Sequence, residues 1–180
     1  MADWNKKYSA KIVSADEAVS DIRRGQRVFI GSGAAEPQAL VAALAARASD
    51  LADNQIIHIR SLGVVPYTES KFSEKFRYST FFIGDSVRDA VSEGQADYTP
   101  IFLSEVPDLF RRGRAPVDVA LIQVTPPDEH GFCSYGVSVD IVKSAAESAR
   151  QVVAEVNSRM PRTLGDSFIH VDRIDRLVEN

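Results

Sequence analysis

Cys133 is the only cysteine among 180 residues, which excludes an internal disulfide and any metal site built from several thiolates, and fits a reducing compartment. Histidine is nearly as scarce: His58, His130 and His170 are too dispersed for a metal-binding pattern. No apolar run approaches the ~20 residues that cross a bilayer. The opening Met1-Ala2-Asp3-Trp4-Asn5-Lys6-Lys7 lacks the apolar core of a signal peptide. These absences predict a cytoplasmic protein that does not enter a membrane. A dominant charge is missing too. The 21 basic and 25 acidic residues are mixed along the chain and leave a net charge of -4, so there is no electrostatic footprint for nucleic acid. Low-complexity tracts, internal repeats and heptads are also absent.

What remains is the composition of a globular protein, 44% hydrophobic and 26% charged, long enough for one domain over 1–180 with a sizeable core. From about residue 14 short β-branched runs alternate with helical patterns, the signature of βα units. The predicted fold class is α/β, an open, mostly parallel sheet with flanking helices. Ser14 and Glu17 form a capping box for a helix carrying Val19 and Ile22 and ending at Gly25. Strands are predicted at 27–30, 56–59, 78–83, 101–103, 117–124, 152–156 and 168–171. Pro37 suits the first turn of a helix through Leu40, Val41, Leu44 and Ala45. Asp85 and Ser104 are candidate caps for two short helices ending at Gly94 and Gly113, and a further helix is expected at 139–150. The strand at 117–124 is placed centrally because nearly all its residues can be buried on both faces.

Polar, glycine- and proline-marked segments follow these strands: 31–36, 60–66, 125–136 and 157–165. In open parallel sheets ligands bind beyond the carboxyl ends of strands, so these segments are predicted to share one rim. In Gly31-Ser32-Gly33-Ala34-Ala35-Glu36-Pro37, two glycines let the backbone approach a ligand closely. The segment is not a dinucleotide fingerprint, because Glu36 stands where a third glycine belongs and would repel a pyrophosphate. The loop Thr125-Pro126-Pro127-Asp128-Glu129-His130-Gly131-Phe132-Cys133-Ser134-Tyr135-Gly136 is stiffened by prolines and reads better as a shaped pocket wall than as a His130–Cys133 dyad, for which no third group is evident. Buried-strand histidines such as His58 and His170 read as hydrogen-bonded residues rather than ligands. Asn157, at the end of the Glu155-Val156 strand, either projects into the crevice or makes a turn. Arg111, Arg112 and Arg114 read as a solvated basic group.

Taken in order, the 31–37 turn, Ala96-Asp97-Tyr98-Thr99-Pro100 running into Leu103-Ser104-Glu105-Val106-Pro107, the 126–134 loop, and Glu155-Val156-Asn157-Ser158-Arg159-Met160-Pro161-Arg162-Thr163 resemble the acetyl-CoA hydrolase/transferase family. The likeness is to its 4-hydroxybutyrate and butyrate:acetate CoA-transferase branch, and it runs from about residue 10 to the end. The resemblance implies a pair of related open α/β domains with the active site between them, within a homodimer. Residues 1–180 would be the N-terminal one. The C-terminal domain would bring a glutamate that attacks the acyl-CoA thioester, with coenzyme A and a short-chain carboxylate as reaction partners.

On that resemblance, Gly31, Ser32, Gly33, Glu36 and Pro37, with Ser61, Leu62 and Gly63, would lie along the acyl side of the cleft, and His130, Gly131 and Ser134 nearby. Ser61 or the amides of 31–33 would serve the acyl group; Glu36 and Asn157 would hold loops. The chain ends at Leu177-Val178-Glu179-Asn180, and Glu179 is not taken as the nucleophile, since nothing glycine-rich or strand-like surrounds it. The isolated chain is therefore expected neither to transfer CoA nor to hydrolyse acyl-CoA. An acetyl-CoA hydrolase half, a stand-alone CoA-binding module, or a regulatory half are the alternative functions. Half a cleft also implies an exposed apolar face and self-association.

Overall fold

Period-two burial divides the central strands between two apolar layers, and this division organises the molecule. In the computed structural model, which describes residues 4–85 and 87–180, the strands in chain order are β1 (Arg27–Ile30), β2 (Asn54–His58), β3 (Phe76–Thr80), β4 (Ala96–Tyr98), β5 (Val119–Val124), β6 (Phe132–Ser134), β7 (Gln151–Val156), β8 (Phe168–His170) and β9 (Arg176–Glu179). Met1-Ala2-Asp3 of the N-terminal segment lie outside the described residues. Val28 and Ile30 of β1, Val119 and Leu121 of β5 and Val153 of β7 face one apolar cluster. Phe29, Ala120, Ile122, Val124, Val152, Ala154 and Val156 face the other. Alternating side chains point to opposite faces of a strand, so both faces of this sheet must be covered.

Helices cover them. They are α1 (Trp4–Lys7), α2 (Ala15–Ala18), α3 (Gln38–Ala46), α4 (Arg88–Ser92), α5 (Val106–Arg111) and α6 (Val142–Ser148). α3 contributes Leu40, Val41, Ala43 and Leu44 to the first cluster. α5 and α6 contribute Val106, Phe110, Val142, Ala145 and Ala146 to the second. The sheet has seven strands in the order β4-β3-β2-β1-β5-β7-β9, all paired in parallel. The open parallel sheet anticipated from the alternating pattern is therefore present, with fully buried β5 in its interior beside the middle strand, β1. No helix among the described residues is long and apolar enough to cross a membrane.

Several local expectations need correction. Ser14 accepts from the Glu17 amide at 3.2 Å, but α2 closes after one turn instead of reaching Gly25. The chain continues through turn-type bonds such as Ile22 N–H to Val19 O, which still bury Val19 and Ile22. Asp85 does not cap α4. Its carboxylate pairs instead with Arg88 at 3.2 Å, and both groups are largely exposed. Ser104 sits inside a single 3₁₀ turn, Leu103–Glu105, and α5 begins at Val106 with Pro107 in its first turn. The predicted strand at 101–103 has no ladder partner among the described residues.

The strands β4, β6 and β9 were not anticipated. β4 and β9 are edge strands, where fewer apolar neighbours are needed, so their sequence pattern is weak. β6 and β8 form a separate antiparallel pair in which Cys133 opposes Ile169. The strand expected at 168–171 therefore exists outside the main sheet. Glu179 ends β9, which overturns the expectation that nothing strand-like surrounds it.

Leu121 is fully buried on the interior strand β5. Its replacement by alanine should cost about 2–5 kcal/mol in a denaturation experiment, while Val137→Ala at a half-exposed position should change stability by less than about 0.5 kcal/mol. Equal effects would contradict the assigned core.

Candidate functional site

Because all seven strands run parallel, their carboxyl ends meet at one edge. The chain crosses from one side of β1 to the other at β5, so the switch point lies between these strands, where ligands bind in open α/β sheets. Loop 31–37 leaves β1 there. The Gly31 amide donates to Leu121 O at 2.8 Å, and the Gly33 amide to Arg60 O at 2.8 Å. Gly33 has φ +62°, and a Cβ at this position would lie 3.3 Å from Ser138 Oγ, so the position favours glycine on both counts. Gly33 and Ser61 form an isolated parallel bridge, which joins the first two loops. The Ser32 hydroxyl donates to Asp140 Oδ2 at 2.6 Å. Asp140 Oδ1 accepts from the Ile141 and Val142 amides at the start of α6.

Glu36 lies buried beneath this junction. Its Oε2 accepts from the Ser61 hydroxyl and from the Gly63 amide, the latter at 3.3 Å. Burial raises its pKa above the ordinary 4.5, and the donors from Ser61 and Gly63 work against that rise. Neither Glu36 Oε1 nor the Tyr67 hydroxyl closes a well-formed hydrogen bond, although both are buried. Burial, with Tyr78 and Glu36 close by, pushes the Tyr67 hydroxyl pKa upward. The Ser61 hydroxyl proton is thus engaged by Glu36. Leu62, beside it, is exposed. Pro37 precedes α3 as its N-cap residue, one position earlier than a first-turn proline.

The centre of the rim is a group that sequence reasoning treated only as part of a strand. Glu155, fully buried on β7, accepts through Oε2 from the Ala39 amide at 2.9 Å and the Leu40 amide at 3.3 Å. These belong to the first turn of α3, whose N–H groups have no partner within the helix. Its Oε1 accepts from Gln123 Nε2 at 3.1 Å and Asn180 Nδ2 at 2.6 Å. Gln123 Nε2 also lies 3.4 Å from Glu36 O, and Gln123 Oε1 accepts from Asn157 Nδ2 at 3.1 Å. Asn157 Oδ1 accepts from the Arg159 amide at 2.8 Å, so this side chain closes a turn and braces β5. The signal that could have revealed Glu155 and Gln123 is their polarity inside strands otherwise made of Val, Ile, Leu and Ala.

The structure thus brings Gly31, Ser32, Gly33, Glu36, Ser61, Gly63 and Asn157 into one connected rim. His130, Gly131 and Ser134 make their contacts elsewhere. His130 O lies 3.0 Å from His170 Nε2, the Gly131 carbonyl accepts from the Val171 amide at 2.9 Å, and the His130 side chain is exposed. Ser134 is buried against Thr163, whose amide donates to its Oγ at 3.2 Å. Cys133 is fully buried, and burial pushes its thiol up to about 12. With His130 in solvent, the two form no dyad. His58 is also buried, with Nε2 3.3 Å from Gly31 O and Nδ1 3.2 Å from the Tyr78 hydroxyl. Both ring nitrogens have partners, which suits the neutral ring. Among the described residues no His, Cys, Asp or Glu group is placed to hold a metal.

Beyond β1–β4 the rim opens into a cleft of about 400 Å³. Its walls are mainly apolar, with Ile59, Phe81, Ile101 and Val106, while Ser32, Arg60 and Asp140 bring polar groups. Ile101 and Leu103 of the run 101–103 serve as cleft wall in place of the predicted strand. Phe82 and Leu103 at the border, Phe102 next in sequence to Leu103, and Leu62 and Val64 on the neighbouring loop, are exposed. An apolar cleft with few polar groups at a switch point is the arrangement of a small-molecule site.

Comparison with known proteins names the class. Residues 1–180 match the acetyl-CoA hydrolase/transferase N-terminal domain, and the chain belongs to that family. It is 50% identical over 177 residues to the 4-hydroxybutyrate coenzyme A transferase of Clostridium kluyveri, covering 98% of this chain and 41% of that protein. It is 44% identical over 163 residues to the succinyl-CoA:acetate/propanoyl-CoA:succinate CoA transferase of Fasciola hepatica, covering 89% and 34%. The crystal structure of a 4-hydroxybutyrate CoA-transferase from Porphyromonas gingivalis superposes with a TM-score of 0.81 at 34% identity, covering 99% of this chain and 41% of that one. The chain spans about two fifths or less of the length of these relatives.

Burial lowers the His58 pKa from 6.5 to about 4, opposed by the bond to Gly31 O. Between those values the unfolded chain binds a proton that the folded chain does not, so folding stability falls as the pH drops from 6.5 to about 4. The loss should reach ~3 kcal/mol at most, at about 1.4 kcal/mol per pH unit. In His58→Gln that contribution disappears. The stability difference between wild type and variant should therefore shrink on acidification, and a pH-independent difference would contradict the assignment.

Proposed function

We propose that residues 1–180 form one wall of the acyl-CoA cleft of a CoA-transferase, which moves CoA between short acyl groups and short-chain carboxylates. The observation that carries this reading is the apolar cleft at the carboxyl edge of the sheet, in a chain of this family. The acyl groups in the relatives' names, 4-hydroxybutyryl and succinyl, suggest the size of substrate. The exposed apolar residues around the cleft would meet the remaining part of the protein and, in a homodimer, its partner.

In this mechanism a glutamate from outside the segment attacks the thioester carbonyl and expels CoA thiolate, leaving an acyl-glutamyl anhydride. The thiolate attacks the glutamyl carbonyl of the anhydride, releasing the first acid and forming a glutamyl-CoA thioester. An acceptor carboxylate then takes the glutamate's place by the reverse sequence. This is nucleophilic catalysis with ping-pong kinetics. Each addition puts negative charge on a carbonyl oxygen. Preorganised donors at that oxygen contribute about 3 kcal/mol apiece.

The Gly31 and Gly33 amides are engaged by Leu121 and Arg60, and the Ser61 hydroxyl by Glu36. The Ser32 amide has no such bond among the described residues and is the donor we assign to the acyl oxygen. Glu36 and Asn157 brace the loops.

Because this mechanism takes its nucleophile from elsewhere, residues 1–180 expressed alone should release no CoA from acetyl-CoA with or without butyrate. The intact protein should transfer CoA to butyrate with parallel double-reciprocal lines. CoA release that is independent of any acceptor acid would sink the transferase reading in favour of hydrolysis, and robust turnover by the isolated chain would sink the assignment of the nucleophile to other residues.

A further inference from the structure

We infer that Arg60 is a specificity-determining residue, which holds the distal carboxylate of a dicarboxylic acyl group or acceptor acid. The inference rests on the transferase reading of the cleft. Among the described residues Arg60 is the one basic residue lining it, and its guanidinium forms no ion pair with any of them. The only carboxylate on the same walls among the described residues, Asp140, is engaged by the Ser32 hydroxyl and by the Ile141 and Val142 amides at the start of α6. The cation is therefore left for a ligand.

Its position is defined by the fold. The Arg60 carbonyl accepts from the Gly33 amide at 2.8 Å, so its backbone is tied to the glycine turn on which we place the acyl carbonyl. Its guanidinium stacks over the Phe82 ring at 5.9 Å from the centroid, a contact that orients the planar fork. Ile59, Phe81 and Ile101 line the same cleft as Arg60. A molecule occupying this cleft would bury an aliphatic segment on those residues and present an anion at Arg60. A guanidinium matches a carboxylate with two parallel hydrogen bonds. The CoA phosphates are a second source of anion, and they are separable because every CoA ester carries them.

The test uses the intact enzyme with acetyl-CoA as donor and acceptor acids matched in length, succinate against butyrate and glutarate against valerate. Arg60→Met keeps an unbranched side chain against Phe82 while removing the charge. It should lower kcat/KM for the dicarboxylates ~10- to 100-fold, the range of a charge-assisted hydrogen bond, and change the monocarboxylates less than about threefold. Arg60→Lys should recover part of the loss and, being charged and soluble, guards against a folding defect in the first variant. An unchanged succinate-to-butyrate ratio overturns the inference. This holds whether activity is untouched or falls equally for all acids, the latter pointing to the CoA phosphates. A wild-type enzyme that moves CoA to none of the four acids overturns the transferase reading itself, and the inference with it.

Discussion

A buried carboxylate holds the rim together. Glu155 offers two oxygens to four donors, two at the start of α3, one on β5 and one just beyond β9. Burying a charge costs several kcal/mol unless each oxygen finds donors, and here three separate parts of the chain supply them. The first turn of α3 is therefore held against β7. Loop 31–37, which connects β1 to α3, has little freedom left. Gln123 extends the same network to Glu36 O and Asn157, and Glu36 extends it to Ser61 and Gly63. One chain of hydrogen bonds thus runs along the carboxyl edge from β9 to the loop after β2.

The layers beneath make that edge possible. Strands buried on both faces need helices above and below, and β-α-β crossovers in parallel sheets supply them. The same connectivity collects every strand's carboxyl end on one side. The site is then built from loops over a scaffold packed with fully buried Phe29, Leu121 and Ile122. Where loop 125–136 leaves the edge, it turns into β6 and pairs with β8, carrying His130 and Gly131 to contacts with His170 and Val171. Proximity in sequence to a functional strand end did not keep those residues in the cleft.

The repeating architecture was legible from the sequence because β-branched runs and amphipathic stretches report burial directly. The convergence of segments 31–36 and 60–63 followed from parallel topology alone. Edge strands β4 and β9 escaped, since a half-covered strand carries little apolar signal, and helix ends at 85 and 104 escaped because Asp and Ser serve ion pairs and turns as readily as caps. The contact between Glu155 and α3 joins positions more than a hundred residues apart, and no local pattern encodes it. Arg60 was visible only as the first residue of the polar segment 60–66. Its meaning depends on Phe82 and on the absence of a carboxylate partner among the described residues, both of them tertiary facts.

If Glu155 organises the rim, its influence must be measurable at the amides it accepts from. Amide hydrogen exchange at Ala39 and Leu40 should be slow in the wild-type chain and fast in Glu155→Ala, while Val41, whose amide bonds to Pro37 O within the helix at 2.9 Å, keeps its protection. Identical exchange at Ala39 and Leu40 in both proteins would show that something other than Glu155 holds the start of α3 and, with it, the rim.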